Sequence, residues 1–277
     1  MELDMKRLLP LLLTLTLYPL TALAQGDVKR GKYIMGMGSC VSCHKTPKRK
    51  NADLGGGHAI KTPFGTFYVP NITPDKDSGI GGWSEKQFIE AMTQGVSPEG
   101  KHYYPAFPYT SYAKMSREDL VDLKAYLDTV APIKNAVPDH DLGFPFNLRF
   151  MMFGWKMLFF DDRPFAPNPD KSDEWNRGAY IVNGAAHCGE CHTARNMFGG
   201  LDLSKKFLGN SNGPDKEKIP SMLPKWKLKE YFMALRIGMK PDGDFLGGSM
   251  GHVISQTTSK LSKEDLKAIS LYLSEYE

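Results

Sequence analysis

Two stretches of the chain carry the same helical stripe. Leu120, Leu123, Tyr126 and Leu127 recur at three- and four-residue steps, and so do Leu266, Ile269, Tyr272 and Leu273. That spacing places each set on one face of a helix. Ser116 and Ser262 stand where N-caps belong, with Asp119 and Asp265 three residues on, so each helix is expected to open on a box-like cap. The segment after Trp83 reads as another helix, capped by Ser84 with Gln87 three positions later. Gly31 and Gly178 fall in short helical segments, where a missing side chain lets the closing helix with Tyr126 or Tyr272 cross closely. No segment alternates like a well-formed strand, and the pattern predicts an all-α fold.

The second half repeats the first. Arg30 to Ile34 (RGKYI) matches Arg177 to Ile181 (RGAYI), Trp83 to Gly95 matches Trp226 to Gly238, and Ser116 to Leu120 matches Ser262 to Leu266. The separations drift by a few residues, as a duplication with loop insertions leaves them. Two units are therefore expected, residues 25–131 and 174–277. The connector, 132–173, is rich in proline yet holds an apolar stretch from Leu142 to Phe160. It is expected to form an arm with a short helix packed across both units, because apolar stretches usually become buried. The competing reading is an exposed docking patch. Arg149 and Lys156 argue against a membrane-spanning helix.

Lys6 and Arg7, the apolar run Leu8 to Leu20 and the small-x-small ending at Ala24 read as a secretory signal covering residues 1–24. The run falls short of the roughly 20 residues a spanning helix needs. At 277 residues, 41% apolar, the rest has enough material for packed cores. A formal charge of +4 points to no nucleic-acid partner.

All four cysteines lie in two Cys-x-x-Cys-His motifs, Cys40 to His44 and Cys188 to His192. This spacing reads as covalent attachment of c-type haem: each thiol adds to a vinyl group and the adjacent histidine ligates the iron. Two covalently bound haem c groups are expected, with His44 and His192 as proximal ligands. Export agrees, since bacteria attach c-type haem outside the cytoplasm, and the protein is expected in the periplasm. Zinc ribbons also use Cys-x-x-Cys pairs, but these two pairs lie far apart and each ends in histidine. A thioredoxin-like pair would need a strand-helix context that is missing.

Met250, in what reads as a glycine-rich loop (Gly247 to Gly251), is the expected distal ligand of haem 2. Its counterpart in the first unit is Phe107, which cannot bind iron. Met115 and His102 flank that loop as candidates, with Met92 on the preceding helix; otherwise haem 1 is five-coordinate. Met115 also reads as a core residue and His102 as a loop residue. The basic run Lys45, Lys48, Arg49 and Lys50 reads as a solvated loop or a positive collar that steers an acidic redox partner.

The helical pattern around each motif resembles the small all-α cytochrome c fold, in which first and last helices cross beside the haem. The stretch Gly55 to Trp83, with its Asn71 to Asp75 segment, followed by Tyr104 to Leu120, resembles the cytochrome c subunits of periplasmic dehydrogenases for alcohols, sugars and aldehydes. The resemblance implies an electron-transfer protein rather than an enzyme by itself. It would take electrons from a dehydrogenase subunit and pass them towards a quinone pool, another cytochrome or an oxidase, with peripheral membrane association left open. The alternative is a haem enzyme or sensor using an open iron position at haem 1 for peroxide or a small gas.

Overall fold

In the computed structural model, which describes residues 26–47, 53–213 and 217–276, helices dominate. The signal segment, together with Lys48, Arg49 and Lys50 of the basic run, lies outside the described residues. The first half opens with α1 (Val28–Met37) and α2 (Cys40–His44), followed by α3 (Glu85–Gln94), α4 (Tyr109–Tyr112) and α5 (Arg117–Leu127). After the connector helix α6 (Met151–Phe159), the second half runs α7 (Asp173–Asn183), α8 (Gly189–His192), α9 (Leu228–Ile237), α10 (Gly248–Gln256) and α11 (Lys263–Ser274).

The two helix crossings are alike. α1 packs on α5, and α7 packs on α11. A Cβ built on Gly31 would lie 1.9 Å from the Asp122 carbonyl oxygen, and one on Gly178 would lie 2.0 Å from that of Ala268. Tyr126 and Tyr272 each supply the next side-chain neighbour. Only glycine permits backbones this close. α3 closes on α5 and α9 on α11. Ser84 and Gln87 form the full reciprocal capping box expected of α3. The buried side chains of both halves merge into one cluster, from Ile34, Met37 and Leu120 to Ile181, Leu266 and Leu273.

Three features differ from the sequence expectation. A small antiparallel sheet is present, with β1 (Ala59–Thr62) paired to β2 (Gly65–Tyr68) and β2 to β3 (Asp141–Leu142). Its strands are too short to show alternation, and β3 comes from the connector. Second, Met250 lies in the first turn of α10, not in a loop. Gly248 takes a left-handed φ of 56° just where that helix starts, and the glycines mark its start instead of excluding it.

Third, the caps of α5 and α11 are half boxes. Ser116 Oγ accepts from Asp119 N at 3.1 Å and Ser262 Oγ from Asp265 N at 3.0 Å. The aspartates do not return the bond. A tyrosine hydroxyl from the opposite half takes that place: Tyr180 Oη accepts from Ser116 N, and Tyr33 Oη from Ser262 N, both at 3.0 Å.

The connector helix is seated from both sides. Trp155, buried, donates from Nε1 to the Phe198 carbonyl of the second half at 2.9 Å. Lys156 Nζ donates to the carbonyls of Gln94 and Gly95 at the C-terminus of α3, at 2.6 and 2.7 Å. A cation there satisfies carbonyls left open by the helix end. The outer face of α6 stays in solvent, with Phe150 and Met157 each 74% exposed. Among the described residues no helix is long and apolar enough to cross a membrane.

Candidate haem-attachment sites

Each Cys-x-x-Cys-His motif follows a residue in the left-handed region, Ser39 at φ 52° and His187 at φ 39°. The chain turns sharply there out of α1 or α7 and into one short helical turn. The histidine at the end of that turn is then fixed twice. Its main-chain carbonyl accepts from a glycine amide, Gly56 N to His44 at 2.7 Å and Gly209 N to His192 at 2.8 Å. Its ring Nδ1 meets a prolyl carbonyl, Pro70 for His44 at 2.8 Å and Pro220 for His192 at 2.9 Å. A carbonyl only accepts, so Nδ1 carries the proton and Nε2 keeps its lone pair.

Burial pushes the His44 imidazolium down to about 4 against the opposing pull of Pro70, and lowers His192 by the same cause. Both rings are neutral at physiological pH. A neutral imidazole with an orienting acceptor behind it is the form that ligates iron.

The four cysteines form no disulfide with one another. Burial pushes Cys40 and Cys188 up to about 12 and Cys191 to about 11, and Cys43 rises too. A thiol-exchange centre needs a lowered pKa, and these sites do the opposite. Among the described residues no three His, Cys, Asp or Glu side chains are drawn together to hold a bare metal ion. The residues fit haem: two thiols and one neutral imidazole with a free Nε2 occur within each turn, and both turns share the same supports.

The segment Asn71 to Asp75 explains how Pro70 is held. Asn71 Oδ1 accepts from Thr73 N at 2.9 Å and from Thr73 Oγ1 at 2.8 Å, while its Nδ2 donates to the Ile133 carbonyl at 2.6 Å. Asn71 and Thr73 are buried. The loop that carries the orienting carbonyl is thereby tied to the chain leaving α5.

On the distal side, Met250 is half-buried and packs against the core cluster. Phe107 is half-buried within a ring of tyrosines, with centroids 5.6 Å from Tyr103 and 5.7 Å from Tyr112. Met115 is buried and lines a small cavity together with Cys40, Met92 and Tyr112. His102 faces the connector: its Nδ1 accepts from Lys156 Nζ at 2.9 Å and its ring lies 5.8 Å from Phe153. Met115 is thus brought to the first attachment segment, whereas His102 is tied to α6.

Several residues that hold the site have roles that the motif pattern does not mark. His187 reaches the Gly38 carbonyl of the first half from Nε2 at 3.2 Å. Glu190, inside the second motif, accepts from Thr110 Oγ1 at 2.8 Å and Ser111 Oγ at 2.9 Å across the same boundary, and pairs with Arg195. The one available signal was the repeat itself: Tyr33 and Tyr180 occupy matching positions without a local reason to.

With this geometry in view, the comparisons with known proteins agree. The cytochrome c pattern matches residues 28–131. A diheme cytochrome c-type protein of Cereibacter sphaeroides is 44% identical over 254 residues, spanning 90% of this chain and 85% of that protein. The fructose dehydrogenase cytochrome subunit of Gluconobacter japonicus is 35% identical, over 89% of this chain and 52% of its own length. The gluconate 2-dehydrogenase cytochrome c subunit of Pantoea cypripedii is also 35% identical, over 89% of this chain and 58% of its own. The chain belongs to the cytochrome c family. It spans most of the diheme relative and just over half of each dehydrogenase subunit.

Proposed function

We propose that the chain is a periplasmic dihaem electron-transfer cytochrome c. It consists of two tandem units, 25–131 and 174–277, joined by the connector 132–173. Cys40, Cys43 and His44 hold haem 1, and Cys188, Cys191 and His192 hold haem 2, with Met250 as its distal ligand. When bound, haem supplies a reversible one-electron iron couple at each site. The chain supplies the rest: thiols for attachment and imidazoles held in one tautomer. A dehydrogenase subunit serves as donor, in keeping with the relatives named as subunits of such enzymes, and a cytochrome or oxidase of the respiratory chain as acceptor.

One observation carries this reading. Both histidines are oriented by a prolyl carbonyl and a glycine amide, in the same way and at the same distances to within 0.1 Å. Intact-mass measurement of the exported protein tests it. The expected species begins at Gln25 and carries the mass of two haems, and Cys188→Ser with Cys191→Ser removes one of them. A mature polypeptide with no added mass overturns the proposal.

Phe107 at the first site favours a second reading, a haem enzyme or sensor with an open iron position there. Carbon monoxide added to the ferrous protein separates the two. Binding at haem 1 together with peroxide turnover selects the second reading; two low-spin haems inert to both remove it.

A further inference from the structure

The bonds between the two halves come in matched pairs. Tyr33 Oη, on α1, donates to Asp265 Oδ2 at 2.8 Å while accepting from Ser262 N. Tyr180 Oη, on α7, donates to Asp119 Oδ2 at 2.5 Å while accepting from Ser116 N. Each hydroxyl is inserted into the N-terminus of the other half's closing helix, where it serves as donor and acceptor at once. Tyr33 corresponds to Tyr180 in the repeat, and Ser262 and Asp265 to Ser116 and Asp119. Exchanging the halves therefore maps one clasp onto the other, as at a two-fold interface.

The haem-attachment segments lie at the same boundary between the halves. His187 reaches Gly38, Glu190 reaches Thr110 and Ser111, and the Tyr112 ring lies 5.7 Å from that of His187. A hydroxyl that satisfies two groups of a helix end fixes both distance and direction. Two such clasps, one reaching from each half into the other, restrain the halves from rolling over one another. Electron tunnelling falls steeply with separation, so a small opening of this boundary slows exchange far more than it disturbs either site.

We propose that Tyr33 and Tyr180 are positioning residues for electron exchange between the two haems of one chain. Their hydroxyls set the separation of the attachment segments, as the supports of a functional site must if its geometry is to be kept within fractions of an ångström. This inference rests on the dihaem reading above.

The test uses the holoprotein and its Tyr33→Phe, Tyr180→Phe double variant, which keeps both rings and removes both hydroxyls. After flash reduction by one electron, the redistribution between haems is followed at several protein concentrations, alongside absorption spectra and both midpoint potentials. The wild type is expected to redistribute at a rate independent of concentration. The double variant, which loses the four hydrogen bonds of the two hydroxyls, is expected to be slower by about tenfold or more, the net scale of even one such bond, with spectra and potentials unchanged.

An unchanged rate in the double variant overturns the proposal, and so does a wild-type rate that scales with concentration. If the double variant does not fold, each single variant is expected to slow the exchange, and unchanged rates in both overturn the proposal. Failure to find two haems in the purified wild type, read from its mass beforehand, removes the dihaem reading itself.

Discussion

A methyl group at Gly31 or Gly178 would overlap a carbonyl oxygen of the crossing helix, at 1.9 and 2.0 Å respectively. The obstacle is main chain, so no rotamer change relieves it. Gly31→Ala and Gly178→Ala are each expected to lower unfolding free energy by about 3 kcal/mol, the upper range for overpacking. Chemical denaturation reads this as a reduced midpoint, and an unchanged midpoint means the helices do not cross where described. Both glycines were legible in the sequence because the repeat set each before a Cys-x-x-Cys-His motif and opposite a helical stripe. Pro70 and Pro220 were not. What they contribute is a main-chain carbonyl, which every residue has and no pattern marks. Tyr33 was hidden for another reason, since the amide it accepts from lies 229 residues away in sequence.

At the level of elements, the connector helix is where charge meets burial. Lys156 sits against the end of α3, beside His102 and over the Tyr109 ring at 4.9 Å. Burial pushes its ammonium down from 10.5 to about 8. Burial, and then the Lys156 charge, also lower His102, whose neutral ring accepts the bond. The folded pKa of Lys156 lies below the unfolded one. Between about pH 8 and 10.5 the unfolded chain therefore holds a proton that the folded chain has released, and stability gains as pH rises through that window. Wild type is expected to gain stability relative to Lys156→Met over that range and to run parallel to it below pH 8. A difference that stays flat across the window contradicts the assignment. The helices flanked by serine caps were readable from the chain alone, whereas the sheet was not: strands of four, four and two residues leave no room for a period to show. The start of α10 escaped as well, because Gly248, Ser249 and Gly251 are poor helix formers and the preference was overridden by packing of Met250 and Ile254.

For the molecule as a whole, the repeat and the paired motifs led to the expectation of two centres and named the residues proposed to build them. How the halves face each other lay beyond reach, because the boundary is made by His187, Glu190, Thr110 and two tyrosines that are ordinary in their own segments. The two halves are also not self-sufficient. Each closing helix carries a serine cap of its own but draws the rest of its start from a phenol encoded in the opposite unit. A fragment holding one half would open its closing helix on a bare serine amide turned to water, with the aspartate held only by the arginine of its own half, Arg30 on Asp119 or Arg177 on Asp265. Anyone dissecting this chain into single-centre pieces would have to graft a replacement hydroxyl at each wound, or accept a frayed helix where the intact protein has a firm one.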